Sequence, residues 1–329
     1  MIIWPLLLAS VAAPPAGKIV FDTDCGFFGD DGAALTMVLR SPEKVQVAAI
    51  TAVSGNVWAA ESVGHLRAIL GLVGSRIKPY VGAQMPLIHT AELAKLEGAL
   101  EFQGAFTEPQ KFAPPAPAGT QDALAAMVAA VERNPERITI LALGPMTNVA
   151  MLLRLHPDLE GKIQRIVFMG GNVHVPGNAS AAAEFNFWFD PEAAQAVLRS
   201  RIPEKVMFPL DICNHAVLDK ARFDEIVAVR TGITERYKED YGSRYPGFLK
   251  NPKATGFLWD ELAAGWLLDT GFVTKSETAW LDVETRFGKS YGATIPLDRK
   301  LAPGATAVRV MLDLDYGRLW DLYKRLLTQ

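Results

Sequence analysis

Between Val20 and Gly32 the chain reads V-F-D-T-D-C-G-F-F-G-D-D-G, and this stretch limits what the rest can become. The apolar run Lys18 to Phe21 reads as a strand that delivers Asp22, Asp24, Asp30 and Asp31 into a glycine-broken loop ahead of a helix. Four like charges so close repel one another unless a cation sits among them, and carboxylate oxygens are what a hard ion such as Ca²⁺ or Mg²⁺ takes as ligands. Asp22 and Asp24 lie two apart on an extended segment and share a face, while Gly26 and Gly29 let the backbone fold back toward Asp24. An acidic turn with a helix N-cap accounts for one of these aspartates but not for four. A metal or catalytic site at the carboxyl end of a strand is the reading that follows.

The same order of strand, polar loop and helix recurs down the chain. Ala33 to Arg40 reads as helix, Val45 to Val53 as a buried strand, Val57 to Val73 as helix and Ile77 to Val81 as a short strand. Gln121 to Arg133 is helical, Arg137 to Leu143 a strand, and a helix starts near Asn148; Arg165 to Met169 and Lys205 to Leu210 are strands around a helix over Pro191 to Arg199, with Asp190 as its cap. Val217 to Arg244 reads as two helices, Gly256 to Asp269 as a helix carrying Trp259 and Asp260, Trp280 to Leu314 as strands near one edge, and Tyr316 to Leu327 as a closing amphipathic helix. Met85 to Gly119 is irregular and long enough to be a lid or excursion. Such alternation predicts an α/β fold: an open, mostly parallel, Rossmann-like sheet flanked by helices, in a single domain spanning 17–329. Ligands of these sheets bind beyond the carboxyl ends of the strands, where Asp24, Asp31, Asn56, Asn148 and Asn172 each follow a strand.

Composition removes several function classes. A net charge of −3 and the lack of any basic run argue against nucleic-acid binding. Cys25 and Cys213 are too few for a disulfide framework and lack zinc-ligand spacing, although a single bridge between them stays open. Met1 to Ala16 has an apolar core followed by small residues at signal-peptidase spacing and is too short for a permanent span. It lacks a basic start, since Lys18 is the first cation. The expectation is a signal peptide over 1–16 and a periplasmic or secreted protein free of the membrane once the leader is removed; a cytoplasmic protein with an untidy tail is the alternative.

The assembled motifs resemble the inosine-uridine preferring nucleoside hydrolase family over nearly the whole chain after the leader. They are V-F-D-T-D-C-G-F-F-G-D-D (Val20 to Asp31), T-A-V-S-G-N (Thr51 to Asn56), L-G-P-M-T-N (Leu143 to Asn148), M-G-G-N (Met169 to Asn172), G-N-A-S-A-A-A-E-F-N-F-W-F-D-P-E-A (Gly177 to Ala193) and W-D (Trp259 and Asp260). The resemblance implies that Asp24 and Asp31 bind Ca²⁺ with Asp260 and the backbone carbonyl of Leu143. It implies that Asp30, Asn56, Asn178, Glu184 and Asn186 hold the ribose hydroxyls and the 5′-hydroxyl, that Met169 packs near the sugar, and that Asp24 is the base for the hydrolytic water. It also leaves a homo-oligomer open, since members are often dimers or tetramers. The chemistry suits these residue types: carboxylates and amide oxygens stabilise the positive charge that builds on a sugar as an N-glycosidic bond breaks. A mixed set of carboxylates and amides also pairs both vicinal hydroxyls, which predicts a preference for ribonucleosides.

Two departures from the family pattern bear on specificity. Cys25 stands where the first loop commonly has Pro, and Phe27-Phe28-Gly29 lengthens that loop. Trp259 stands where many inosine- and uridine-specific members carry a His proposed to protonate the leaving base; the purine-preferring branch resembles this chain in having Trp-Asp. An indole can stack on a purine, or Trp259 can be an ordinary core aromatic. Tyr237, Tyr241, Arg244 and Tyr245 read as a flap over the base or as the exposed side of a helix, and Phe102 is a further candidate for stacking.

The expected activity is calcium-dependent hydrolysis of ribonucleosides, purine-preferring, giving free base and ribose from a small-molecule substrate. A broad or pyrimidine-preferring hydrolase is the near alternative. A haloacid dehalogenase-like phosphohydrolase, with Asp22 as nucleophile and Asp24 as acid, also begins with strand and D-x-D, yet no later Lys and acidic pair stands in a convincing place. A non-catalytic nucleoside-binding protein on the same scaffold would not need Asp24, Asn56, Glu184, Asn186 and Asp260 together.

Overall fold

Strand β1 (Gly17–Thr23) sits inside a nine-stranded sheet because its alternate side chains are apolar on both sides. Ile19 and Phe21 join the core on one face, and Val20 joins the core on the other. The computed structural model describes residues 17–97, 99, 103–108, 122–135, 137–298 and 306–329. The leader over 1–16, Phe102 and part of the Met85 to Gly119 excursion lie outside these residues.

The remaining strands in chain order are β2 (Val45–Ala52), β3 (Pro79–Val81), β4 (Ile138–Ala142), β5 (Ile163–Met169), β6 (Glu204–Phe208), β7 (Val217–Asp219), β8 (Thr255–Phe257), β9 (Val273–Val283), β10 (Thr294–Leu297) and β11 (Val308–Leu314). The helices that follow and cover them are α1 (Ala33–Leu39), α2 (Ala59–Leu72), α3 (Ala91–Glu97), α4 (Ala123–Arg133), α5 (Thr147–Leu155), α6 (Phe185–Phe189), α7 (Pro191–Leu198), α8 (Leu210–Cys213), α9 (Lys220–Val227), α10 (Gly232–Arg244), α11 (Asp260–Leu268) and α12 (Tyr316–Thr328). The large sheet runs β10-β9-β11-β6-β5-β4-β1-β2-β3. Its pairings are parallel from β3 across to β11, and β9 is antiparallel to both β11 and β10. Helices α1, α2, α10, α11 and α12 contribute to the core on one face, and α4, α5 and α7 to the core on the other. This is the α/β architecture expected from the sequence.

The order places a topological switch at β1. The chain moves outward through β2 and β3 on one side, and through β4, β5 and β6 on the other. Connections leaving in opposite directions open a crevice beyond the carboxyl ends of β1 and β4. Asp24 follows β1 and Leu143 follows β4, so both lie at that crevice.

Four sequence expectations meet the structure in these elements. The strands over 273–314 lie at one end of the sheet, as expected: β10 is the edge, β9 is next, and β11 is third, between β9 and β6, with Val308, Val310 and Met311 fully buried. The stretch from Gly256 is not helical at its start: β8 pairs antiparallel with β7, and the helix begins at Asp260. Tyr237 and Tyr241 are core residues of α10, Tyr237 stacked on Phe223 and Tyr241 tilted against it, so they form neither a flap nor an exposed helix side. Cys25 and Cys213 are both buried free thiols, so the bridge left open by the sequence is absent.

Candidate active site

The acidic loop opens from the end of β1 into a single π turn, Phe28–Gly32, which carries Asp30 and Asp31 onto α1. Asp31 is fully buried: Thr23 Oγ1 donates to its Oδ1, and its Oδ2 has no hydrogen-bond partner. Asp260, the first residue of α11, comes from the far end of the chain and is 2% exposed. Its backbone N–H donates to Asp30 Oδ1 at 3.3 Å. Asp30, Asp31 and Asp260 each offer a carboxylate oxygen within 4.8 Å of the others, the one such grouping among the described residues.

Asp24 is buried beside this cluster and leans toward Asn56. Its Oδ2 accepts the Asn56 backbone N–H at 2.6 Å, and its Oδ1 faces the Asn56 side-chain amide at 3.4 Å. Two glycines make room for it. A methyl on Gly55 would stand 2.0 Å from Asp24 Oδ2, and one on Gly144 would stand 2.9 Å from Asp24 Cγ. The residue expected as a sugar ligand, Asp30, thus sits in the tight acidic group, while Asp24, expected as a metal ligand, stands next to it and outside it.

Burial, then the neighbouring negative charges, pushes the Asp24 and Asp260 carboxyls well above the usual range; burial and the charge of Asp31 push Asp30 up as well. Buried acids in this state take up protons or a cation. The donor set is oxygen only, with an unpartnered buried carboxylate oxygen on Asp31, and this suits a hard divalent cation such as Ca²⁺.

A cavity of about 160 Å³ opens beside the cluster, lined by Asp30, Asn56, Leu143, Met169, Asn178, Glu184, Asn186, Trp259 and Asp260, together with Phe27, Phe185, Arg244 and Tyr245. Its floor is rigid. Glu184 caps α6 by accepting N–H donation from Asn186 at 2.9 Å and Phe187 at 3.1 Å, and it ties the loop after β5 through Gly171 N–H at 2.7 Å. Burial pushes the Glu184 carboxyl up to about 7 against the pull of those donors. Asn186 Nδ2 donates to the carbonyls of Leu143 at 3.2 Å and Met169 at 3.1 Å, which fixes the ends of β4 and β5 together. Asn178, exposed at the rim, accepts the Phe185 N–H at 2.9 Å.

Other strand-end polar residues act as scaffold. Asp22 accepts Thr51 Oγ1 at 2.6 Å and Asn148 Nδ2 at 2.7 Å, locking β2 and α5 onto β1; burial pushes its carboxyl up to about 7. Asn172 Nδ2 bonds the carbonyls of Val175 and Ala182. Trp259 is partly buried, lies 5.4 Å from the Phe257 ring and also faces the cavity, so the core and ligand-facing readings both describe it. Phe27 and Phe185 line the cavity although their motifs alone assign them no contact with a ligand. The Phe27-Phe28-Gly29 lengthening of the first loop is the sequence signal that points to Phe27.

An acidic cluster joined to a polar-floored cavity at the switch point of a parallel sheet is the site of a hydrolase acting on a polar small molecule. The chain belongs to the inosine-uridine preferring nucleoside hydrolase family, whose profile matches residues 19–321, and it is accordingly a nucleoside hydrolase, an N-glycosidase. It is 34% identical over 313 residues to the pyrimidine-specific ribonucleoside hydrolase RihA of Citrobacter koseri, covering 92% of this chain and 96% of that one. An inosine-guanosine nucleoside hydrolase structure superposes with a TM-score of 0.79 at 25% identity, covering 94% of this chain and 98% of the other. A purine-preferring ribonucleoside hydrolase from Gardnerella vaginalis shares the fold at a TM-score of 0.75 and 24% identity, again over 94% and 98%.

Proposed function

We propose that this enzyme hydrolyses the N-glycosidic bond of ribonucleosides in a calcium-dependent reaction, prefers purines, and releases free base and ribose. The observation that carries this reading is the convergence of Asp30, Asp31 and Asp260 within 4.8 Å beside a cavity with a polar floor and an aromatic mouth. Asp24, Asp31, Asp260 and the Leu143 carbonyl are the groups proposed to hold the calcium ion, with Asp30 adjacent. When bound, such an ion acidifies and positions a water. Asp24 takes the proton of the attacking water; its buried carboxylate is aimed by the Asn56 N–H. Asp30, Asn56 and Asn186 pair the vicinal ribose hydroxyls, Glu184 and Asn178 receive the 5′-hydroxyl, and Met169 packs against the sugar. The carboxylates then favour the positive charge on the ribose ring as the bond breaks.

The purine preference rests on the indole face of Trp259 at the cavity and on the similarity to the inosine-guanosine enzyme. A pyrimidine preference is the second reading, favoured by the name of the 34%-identical relative. A panel of inosine, guanosine, adenosine, uridine and cytidine, run with calcium and with chelator, decides between them by release of free base. Nucleoside binding without any base release would contradict both readings. Export on removal of residues 1–16 is part of the proposal; no described helix is long and apolar enough to cross a membrane. Mature protein lacking those residues in the periplasm or medium would support it, and a full-length cytosolic chain would refute it.

A further inference from the structure

Resting on the reading above, we propose that Arg244 stabilises the departing nucleobase. The cavity is divided by chemistry. Its floor carries the polar side chains of Glu184 and Asn186 among the apolar ones of Leu143 and Met169, all at most 5% exposed, which suits a hydroxyl-bearing sugar ring. Its mouth is aromatic, with Phe27, Trp259 and Tyr245, the last 45% exposed, which suits the base. Arg244 lines this mouth and is the only cationic side chain among the described residues that line the cavity. With Asn56 and Tyr245 it also borders a second, wider cavity of about 620 Å³.

The guanidinium is held in place. Its Cζ lies 4.6 Å from the centre of the Phe27 ring, and its Nη1 would be 3.4 Å from a methyl on Gly26. Phe27 and Gly26 both belong to the loop that joins Asp24 to Asp30. Arg244 ends α10, where the helix presents its carbonyls and a cation is favoured.

The reaction needs a cation at this place. As the C1′–N bond breaks, its electron pair leaves with the base nitrogen; water adds its oxygen to C1′ and gives a proton to Asp24. The base therefore departs with negative charge and takes its proton from solvent at the open mouth. The acids that favour a positive sugar repel that negative base, and an indole supplies a stacking face but no ionisable proton. A guanidinium at the edge of the base offsets the repulsion and can donate N–H bonds to its in-plane nitrogen and oxygen acceptors.

The test compares leaving groups. Calcium-loaded wild type, Arg244→Gln and Arg244→Lys are assayed on the best natural nucleoside and on 4-nitrophenyl β-D-ribofuranoside, whose leaving group is weakly basic and needs little help. The expected result is a fall in kcat/KM for Arg244→Gln on the nucleoside that exceeds its fall on the nitrophenyl riboside by about a hundredfold, the usual effect of one positioned charge-stabilising donor. Arg244→Lys recovers part of the difference. Equal falls on both substrates, as from a clamp on the loop, or an unchanged nucleoside rate would overturn the assignment. Wild type that releases no base from any nucleoside would instead sink the hydrolase reading on which it rests.

Discussion

Replacing Gly55 by alanine adds one methyl group at the point where the loop after β2 touches the proposed base. The backbone at Gly55 does not have a positive φ, so the effect is steric rather than conformational strain. The new Cβ would fall 2.0 Å from Asp24 Oδ2, 2.8 Å from Asp24 Cγ and 2.6 Å from Pro145 Cδ. Ordinary carbon contacts begin near ~3.5 Å, so the carboxylate must move by roughly 1.5 Å. That movement breaks the 2.6 Å hydrogen bond from the Asn56 N–H, a charge-assisted bond. Losing it costs about 1.5–3 kcal/mol, and misplacing a reacting group by about 1 Å costs about a hundredfold in rate. Together these predict a fall in kcat/KM of about 10³–10⁴, with an overpacking cost to stability of about 1–3 kcal/mol. Base release from the preferred nucleoside measures the first, and thermal unfolding confirms that the variant is folded. Gly64→Ala is the control: a methyl there meets nothing within 4 Å, and alanine suits the interior of α2. Folded Gly55→Ala protein within about threefold of wild-type activity would refute the placement of Asp24 as the base.

Asn186→Ala is expected to raise KM more than it lowers kcat, because Asn186 Nδ2 bridges the Leu143 and Met169 carbonyls that shape the sugar floor; steady-state kinetics with a lowered kcat alone would contradict this. A 2′-deoxyribonucleoside is expected to react at least about a hundredfold more slowly than its ribonucleoside, since the groups that pair the missing hydroxyl stay unpaired; comparable kcat/KM values would contradict it. Calcium at about a hundred times its dissociation constant should stabilise the fold by about 2.7 kcal/mol, read as a melting temperature that falls on chelation and returns on adding calcium; an unchanged melting temperature would count against the ion. Lys205 is buried at the start of β6, its Nζ donating to the carbonyls of Leu198 and Ser200 and to Thr306 Oγ1, and burial pulls its ammonium down to about 8. A lowered folded value means that stability present above the unfolded value near 10.5 is lost as pH falls through 8. Wild type should therefore gain stability relative to Lys205→Met between pH 8 and 10.5, by up to about 1.4 kcal/mol per pH unit, and parallel stability curves would contradict it.

Much of this architecture is legible in the sequence because buried parallel strands are continuous apolar runs, and glycine, proline and asparagine punctuate their ends. The acids of the first loop and Asp260 carry a local signal, since so many like charges need a common partner. Partner choice is less visible. Nothing local to Asp22 or Asn148 says that they bind each other rather than a ligand, and nothing near Val308 says that its strand will insert between β6 and β9. Arg244 is remote in sequence from every residue it serves, and only the fold brings the end of α10 over Phe27. Gly55 and Gly144 look like ordinary turn glycines until Asp24 is placed against both. Similarly, the short β7–β8 pair overrode the helical pattern before Asp260, because pairing across 217–257 is a tertiary event.

The central claim is that acids from both ends of the chain share one cation in the service of glycoside hydrolysis. Its most direct test measures calcium binding and base release on the same samples of wild type and Asp31→Asn. The account predicts that wild type binds calcium and releases base, and that Asp31→Asn loses both together. Asp31→Asn protein that keeps full turnover with no bound calcium would contradict it.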